Sequence, residues 1–314
     1  MQKKKYVVGV DIGGTSVKNG LFDETGTLID KWEIPTRKEN GGDTILKDVA
    51  EAIEANLAAH DIKMSDVAGV GVGVPGPVQG DGFVPHCPNL GWRDYHPDRV
   101  LSALLDGIEV KAGNDANVAA LGESFKGAAA GVDNVVMLTL GTGVGGGIII
   151  GGKIVDGVHG AGGELGHIVV NPEEPLACNC GNHGCLEQYA SATGVVHMAR
   201  RLMNSTDMGS SLRGIADLTA KQVFDEAKAG DELAAKAVDT LCMYLGLASA
   251  NVAMTVDPDE FVIGGGVSRA GDILTNGISS YFERFSHIIH KKATFKLATL
   301  GNDAGIYGAA KLIL

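Results

Sequence analysis

The sequence has no uninterrupted apolar run of the roughly 20 residues that a membrane-spanning helix needs, because Gly, Asp or Lys breaks its longest candidates. The start of a secretory signal is missing too. The apolar run Tyr6 to Val10 stops at Asp11, short of the about 7 to 15 residues that an export signal uses. Neither a membrane partner nor export is expected, and a soluble protein is. Positive charge is in short supply: the formal net charge is -12, the opposite of the phosphate-neutralising surface that nucleic-acid binding requires. The small basic run Lys3, Lys4, Lys5 reads as a solvated terminus. A disulfide framework is also excluded, since five cysteines is an odd number and three of them, Cys178, Cys180 and Cys185, crowd into eight positions. That crowding points to a metal site in a reducing compartment, so the expected location is the cytoplasm. No low-complexity linker interrupts the chain.

What is abundant is glycine, 46 in 314 residues, about twice the roughly 7% of average usage. Many backbone positions therefore need tight turns or close approach to a ligand. A chain of 314 residues exceeds what one hydrophobic core usually supports, which predicts two lobes with a cleft between them.

From Tyr6 to Ile34 the pattern predicts strand, glycine turn, strand, turn, strand: Tyr6 to Val10, Ser16 to Phe22 and Thr27 to Glu33. An amphipathic helix follows over Asp43 to His60, with Leu46, Val49, Ile53 and Leu57 on one stripe and Asp43 as N-cap. Buried strands are expected at Val67 to Val74 and around Ile108 to Ala112. The segment Asn134 to Val155 repeats the opening pattern: strand Val135 to Leu140, glycine loop, strand Gly146 to Ile150, Gly-Gly turn. This reads as an internal duplication of a β-glycine-β hairpin. The remainder is mostly helical: Gly184 to Asn204, a capped helix at Thr219 with Gln222, a long helix Asp231 to Val256, and a last helix from about Asp303 to Leu314. Strands are expected at Glu260 to Ile263 and near Phe295 to Leu300. The repeat places a small α/β lobe at residues 1–116 plus the C-terminal helix, about 300–314, and a large α/β lobe at 117–299.

Asp11-Ile12-Gly13-Gly14-Thr15 lies between two strands, where its glycines bring backbone N–H groups close to phosphate oxygens. Asp11 is placed to hold Mg2+ through water. The second loop, Gly141-Thr142-Gly143 running on to Gly147, strengthens that reading, because glycine is costly in strand interiors unless something approaches the backbone. Neither loop matches the Gly-x-x-x-x-Gly-Lys-Ser/Thr pattern or a strand-to-helix Gly-x-Gly-x-x-Gly. Asn114-Asp115-Ala116-Asn117 follows a strand and precedes a helix. Asp115 there is either that helix's N-cap or a carboxylate that takes the proton of an attacking hydroxyl, and strand ends that face a ligand crevice favour the second. His167 with Cys178, Cys180 and Cys185 supplies the ligand set of a closed structural zinc site, with His183 as the competing nitrogen. Glu164 and Glu187 flank the cluster and suit bidentate acceptance from vicinal sugar hydroxyls.

Taken together, these segments resemble the ROK family (repressors, open reading frames and kinases), and within it the bacterial glucokinases. The resemblance covers essentially the whole chain: Asp11 to Thr15, Gly73-Val-Pro-Gly-Pro77, Pro88-Asn-Leu-Gly-Trp92, Asn114 to Asn117, Leu140 to Gly147, Gly163-Glu-Leu-Gly-His167 and Cys178 to Glu187. Gln79 departs from the acid that many relatives carry there, at a peripheral position. The resemblance implies an actin-like (RNase H-like, hexokinase-type) α/β fold with two lobes around a central cleft. It implies sugar held by Gly76, Asn89, Asn114, Asp115, Glu164, His167 and Glu187, with Asp115 as general base. ATP is expected on Gly13, Gly14, Thr15, Thr142 and Gly143, with its adenosine end toward Gly265 and Gly266, and Zn2+ on His167 and the three cysteines. The implied activity moves the γ-phosphoryl group of Mg·ATP to the 6-hydroxyl of an aldohexose, glucose first, with fructose, mannose and N-acetylmannosamine as alternatives. A homodimer or a pair of dimers is also implied. A sugar-responsive regulator is the competing class, but ten residues before Asp11 are too few for the helix-turn-helix that such proteins carry.

Overall fold

A computed structural model describes residues 5–314, so Lys3 and Lys4 of the basic run lie outside the described residues. The strands are β1 (Tyr6–Ile12), β2 (Ser16–Asp23), β3 (Leu28–Pro35), β4 (Val67–Val74), β5 (Val84–Cys87), β6 (Trp92–Tyr95), β7 (Glu109–Asn114), β8 (Val135–Leu140), β9 (Val144–Ile150), β10 (Lys153–Ile154), β11 (Glu260–Gly264) and β12 (Thr294–Leu297). The helices are α1 (Glu39–Gly42), α2 (Ile45–Ala59), α3 (Pro97–Leu104), α4 (Asp115–Lys126), α5 (Glu187–Ala190), α6 (Ala192–Ser205), α7 (Ala220–Lys228), α8 (Glu232–Val256), α9 (Asp272–Phe285) and α10 (Ala304–Ile313).

One sheet runs β3-β2-β1-β4-β7 and the other β10-β9-β8-β11-β12. Each has a glycine hairpin at its first two strands and two parallel strands added beyond the first, which is the duplication that the sequence repeat predicts. The described residues form two compact units, one of residues 5–133, 147–163 and 299–314, the other of 134–146 and 164–298. The first unit runs on past Ala116, where the division was expected, to Asp133 and so includes all of α4. That helix stays with the first unit because it packs on α10, where Gly122 sits against the Ala304 carbonyl and Gly308 against the Val118 carbonyl, too close for a side chain.

In the first unit, alternation along β1 sends Val8 and Val10 to a core with Leu46, Val49 and Ile53 of α2. Val7 faces the other way, onto Ile306 and Ala310 of α10. The α2 helix begins later than expected: its N-cap is Thr44, without a side-chain cap bond, and not Asp43. The β5–β6 hairpin pairs Val84 with Tyr95 and Cys87 with Trp92.

In the second unit, Phe261 of β11, Phe282 of α9 and Phe295 of β12 form one aromatic cluster, with centroids 5.0 to 5.7 Å apart. The capping box of Thr219 and Gln222 starts α7 as expected. The single helix expected over Gly184 to Asn204 is broken: Ser191 leaves the helical conformation and caps α6 by accepting from the Gly194 N–H. Among the described residues one helix, α8, has the length and apolar composition to cross a membrane, and most of that stretch is buried within the unit.

Candidate active site

Parallel register in the first unit sets Asp11 of β1 beside Gly73 of β4, and Val74 of β4 beside Asn114 of β7. The C-terminal tips of three neighbouring strands therefore carry the Gly13-Gly14-Thr15 loop, the Pro75-Gly76 turn and the Asn114-Asp115 pair along one sheet edge. The loop after β1 is tight: the Gly13 N–H bonds to the Ser16 carbonyl, and the Thr36 hydroxyl donates to the Gly13 carbonyl at 2.7 Å. At Gly14 an added Cβ would meet no described atom within 4 Å, so the loop faces open space. Burial pushes the Asp11 carboxyl up from its ordinary value, with Lys18 pulling the other way. A desolvated carboxylate of this kind is stabilised by a cation.

Asn114 is the N-cap of α4, and its Oδ1 accepts from the N–H groups of Ala116 and Asn117 at 3.0 and 3.1 Å. Asp115 is thus the first helical residue and not the cap, and its Oδ1 accepts from the Ala116 N–H at 2.8 Å. The Asn114 Nδ2 donates to the Gly76 carbonyl at 3.0 Å, tying two of the expected sugar ligands together. The partly buried Asp115 lies in the first turn of α4, where backbone N–H groups favour negative charge. Asn89 lies exposed between β5 and β6.

The second unit carries the Gly141-Thr142-Gly143 loop between β8 and β9, closed by a bond from the Gly141 N–H to the Gly143 carbonyl. Its position is fixed from behind, because the Ala192 N–H at the start of α6 donates to the Gly141 carbonyl at 2.8 Å. Gly265, with φ at 79°, packs on Leu140, the last residue of β8, at a distance that leaves no room for a side chain. Gly266 opens onto a cavity of about 250 Å³ lined by Ala192, Lys221, Phe224, Val267 and Arg269. The two residue sets expected to meet ATP in this unit thus lie around one end of β8.

The side-chain ligand atoms of His167, Cys178, Cys180 and Cys185 all lie within 4.8 Å of one another. Zinc with Zn–S bonds of about 2.3 Å sets tetrahedral ligands about 3.8 Å apart. The Cys180 and Cys185 sulfurs are 3.6 Å apart, and the Cys178 sulfur is 3.8 Å from His167 Nδ1, so the residues fit such an ion. Burial pushes the Cys178 and Cys185 thiols up, and three thiols this close cannot all ionise without a cation among them. His183, the competing nitrogen, is instead engaged through Nδ1 with the Glu174 carbonyl at 2.9 Å. Around the cluster, Glu164 lies 3.9 Å from His167 Nε2, and Glu187 lies 3.8 Å from His167 Nδ1. Sequence reasoning missed Glu174 and Arg201, whose ion pair under this loop spans 27 positions and leaves no local signal.

The ROK family model matches residues 7–314. The chain belongs to the ROK family. It is 44% identical over 320 aligned residues to the glucokinase of Halalkalibacterium halodurans, covering 98% of this chain and 95% of that protein. Among solved structures, the ROK hexokinase of Thermus thermophilus gives a TM-score of 0.82 at 33% identity, over 97% of this chain and 96% of that one. The ROK glucokinase of Streptomyces griseus, solved in complex with glucose and AMPPNP, gives 0.73 at 35% identity over 98% of both chains. With these ROK neighbours, the fold is the actin-like, hexokinase-type α/β fold expected from the motifs.

Proposed function

We propose that the protein is a glucokinase that transfers the γ-phosphoryl group of Mg·ATP to the 6-hydroxyl of glucose, giving glucose 6-phosphate and ADP. The observation that carries this reading is Asp115, placed directly after the Asn114 cap as the first residue of α4 and set on the same sheet edge as the Gly13-Gly14-Thr15 loop. The relative and the two solved neighbours described above, which match over nearly the whole chain, are sugar kinases by name.

Phosphoryl transfer has a loose transition state, so the protein contributes chiefly alignment and charge stabilisation. Gly76, Asn89, Asn114, Glu164, His167 and Glu187 orient the sugar by accepting from and donating to its hydroxyls. The Asp115 carboxylate points the 6-hydroxyl at phosphorus and takes its proton as the new P–O bond forms, a contribution typically on the order of 10²- to 10⁴-fold. Backbone N–H groups of Gly14, Thr15, Thr142 and Gly143 offset the charge on the phosphate oxygens, Gly13, whose N–H is held by Ser16, shapes the turn beside them, and the adenosine end lies toward Gly265 and Gly266. Asp11 would hold magnesium through water, which supplies positive charge to those oxygens. His167, Cys178, Cys180 and Cys185 would hold zinc; four protein ligands leave no open position, so the ion organises the loop and performs no chemistry. His167 can serve zinc and sugar at once through its two opposite ring nitrogens. We place the enzyme in the cytoplasm as a homodimer or dimer of dimers without a nucleic-acid partner.

A coupled ADP-release assay with purified protein across a panel of hexoses and hexosamines tests this reading. Glucose is expected to give the highest kcat/KM. ADP release that no sugar stimulates overturns it.

A further inference from the structure

Glu174 is a buried carboxylate, 4% exposed, that none of the roles above employs. Its Oε2 accepts from the Tyr189 hydroxyl at 2.6 Å and from Arg201 Nη1 at 2.7 Å; its Oε1 accepts from Arg201 Nη2 at 2.6 Å and from the Leu176 N–H at 3.1 Å. The two-pronged contact with Arg201 fixes orientation as well as distance, because a planar guanidinium meets a planar carboxylate in one arrangement. Tyr189 is equally constrained. Its oxygen accepts from Asn171 Nδ2 at 2.8 Å, and its ring packs on Tyr244 of α8 with centroids 4.2 Å apart.

These contacts join three parts of the second unit. Asn171, Glu174 and Leu176 belong to the loop that carries the cysteines. Tyr189 lies in α5, two residues after Glu187. Arg201 belongs to α6, whose first N–H holds the Gly141 carbonyl. One helix therefore runs from the phosphate loop to the Glu174 ion pair, and the far side of that ion pair holds the turn that presents Glu187. The closeness of Glu187 to the loop is already extreme, since a Cβ on Gly143 would lie 2.5 Å from Glu187 Oε2. None of Glu174, Tyr189 and Arg201 belongs to the Cys and His cluster, whereas Glu187 meets that cluster directly, its Oε1 accepting from Cys178 Sγ at 2.9 Å, so zinc content is the readout that separates the clamp from the metal.

We propose that Glu174 is a positioning residue for sugar binding: with Arg201 and Tyr189 it holds Glu187 in register with the Gly141–Gly143 loop. The proposal rests on the assignment of Glu187 to the sugar given above. Its test uses the full-length protein with Glu174→Gln, Arg201→Lys and Tyr189→Phe, and measures glucose and Mg·ATP dissociation constants by calorimetry together with zinc content. Wild-type turnover, assayed alongside, judges the kinase reading separately, because sugar binding is scored whether or not phosphate is transferred. Glu174→Gln is expected to retain wild-type zinc and Mg·ATP affinity and to weaken glucose binding by about ten-fold, the lower end of what loss of a supporting partner costs. Tyr189→Phe, which removes one hydroxyl and leaves the ion pair, is expected to weaken glucose by about three-fold. Unchanged glucose affinity with a lowered melting temperature overturns the proposal, as Glu174 then only stabilises. Parallel weakening of glucose and Mg·ATP overturns it as general loosening, and loss of zinc overturns it as action through the metal. Should Glu174→Gln fail to fold, Arg201→Lys and Tyr189→Phe face the same criteria.

Discussion

Gly143 and the carboxylate of Glu187 share one space: a Cβ at Gly143 would stand 2.5 Å from Glu187 Oε2. A side chain at Gly143 would therefore meet the carboxylate that is proposed above to bind the sugar. Gly143→Ala is expected to fold, since its backbone needs no left-handed conformation, and to push Glu187 away. The expected result is a rise in glucose KM of about ten-fold with a smaller change in ATP KM, read from initial rates. Equal rises for both substrates contradict the shared-space account.

The metal assignment makes a compositional claim. The purified protein is expected to carry one zinc per chain, and Cys180→Ala to lose it together with glucose affinity. Cys180 is exposed, so its loss opens no buried cavity and the effect reports on the metal alone. Elemental analysis that finds stoichiometric zinc in Cys180→Ala removes that cysteine from the ligand set.

Glu123, fully buried, accepts main-chain N–H groups of Ala128, Thr299 and Leu300 at 2.8 to 3.1 Å. It pins the strand-to-helix connection before α10 to the end of α4, the helix that begins with Asp115. Glu123→Ala takes a buried acceptor away from three partly buried donors and is expected to cost about 2 kcal/mol of unfolding free energy. A shifted urea midpoint at unchanged slope would register the loss. A change below about 0.5 kcal/mol, the usual range of surface substitutions, argues against the anchor.

The Glu174 ion pair also sets a pH window. The hydrogen bonds from Arg201 hold its carboxyl down from 4.5 to about 2. A carboxyl lowered on folding adds stability that is fully present above its unfolded value and is lost as pH falls through the folded one. The difference in melting temperature between wild type and Glu174→Gln is therefore expected to stay constant above pH 4.5, shrink below it and vanish near pH 2. A difference that already shrinks between pH 7 and 5 would show that another group controls it.

The glycine hairpins and their flanking strands were legible because β-branched residues alternate and Gly punctuates them, and the repeat foretold the second hairpin, though not the strand order of the sheets. The Cys and His cluster was legible from ligand type and spacing. The hairpin Val84–Cys87 with Trp92–Tyr95 was not, since Pro85 and Pro88 argue against strand. Helix α9 was passed over although Leu274, Ile278 and Phe282 fall at helical spacing and are all buried. Adjacent Asn114 and Asp115 are both good caps, and only backbone geometry separates the cap from the first helical position after it. The break at Ser191 follows from a contact with Gly141 some 50 residues away, and the Glu174 clamp likewise joins residues that have no local pattern.

The most direct test of the account is the rate of glucose 6-phosphate formation from Mg·ATP by wild type and Asp115→Ala, with glucose binding measured in both. The account predicts one glucose 6-phosphate per ADP in the wild type, and in the variant retained glucose binding with turnover at least about 100-fold slower. A variant that turns over at the wild-type rate, or a wild type that forms no sugar phosphate, contradicts it.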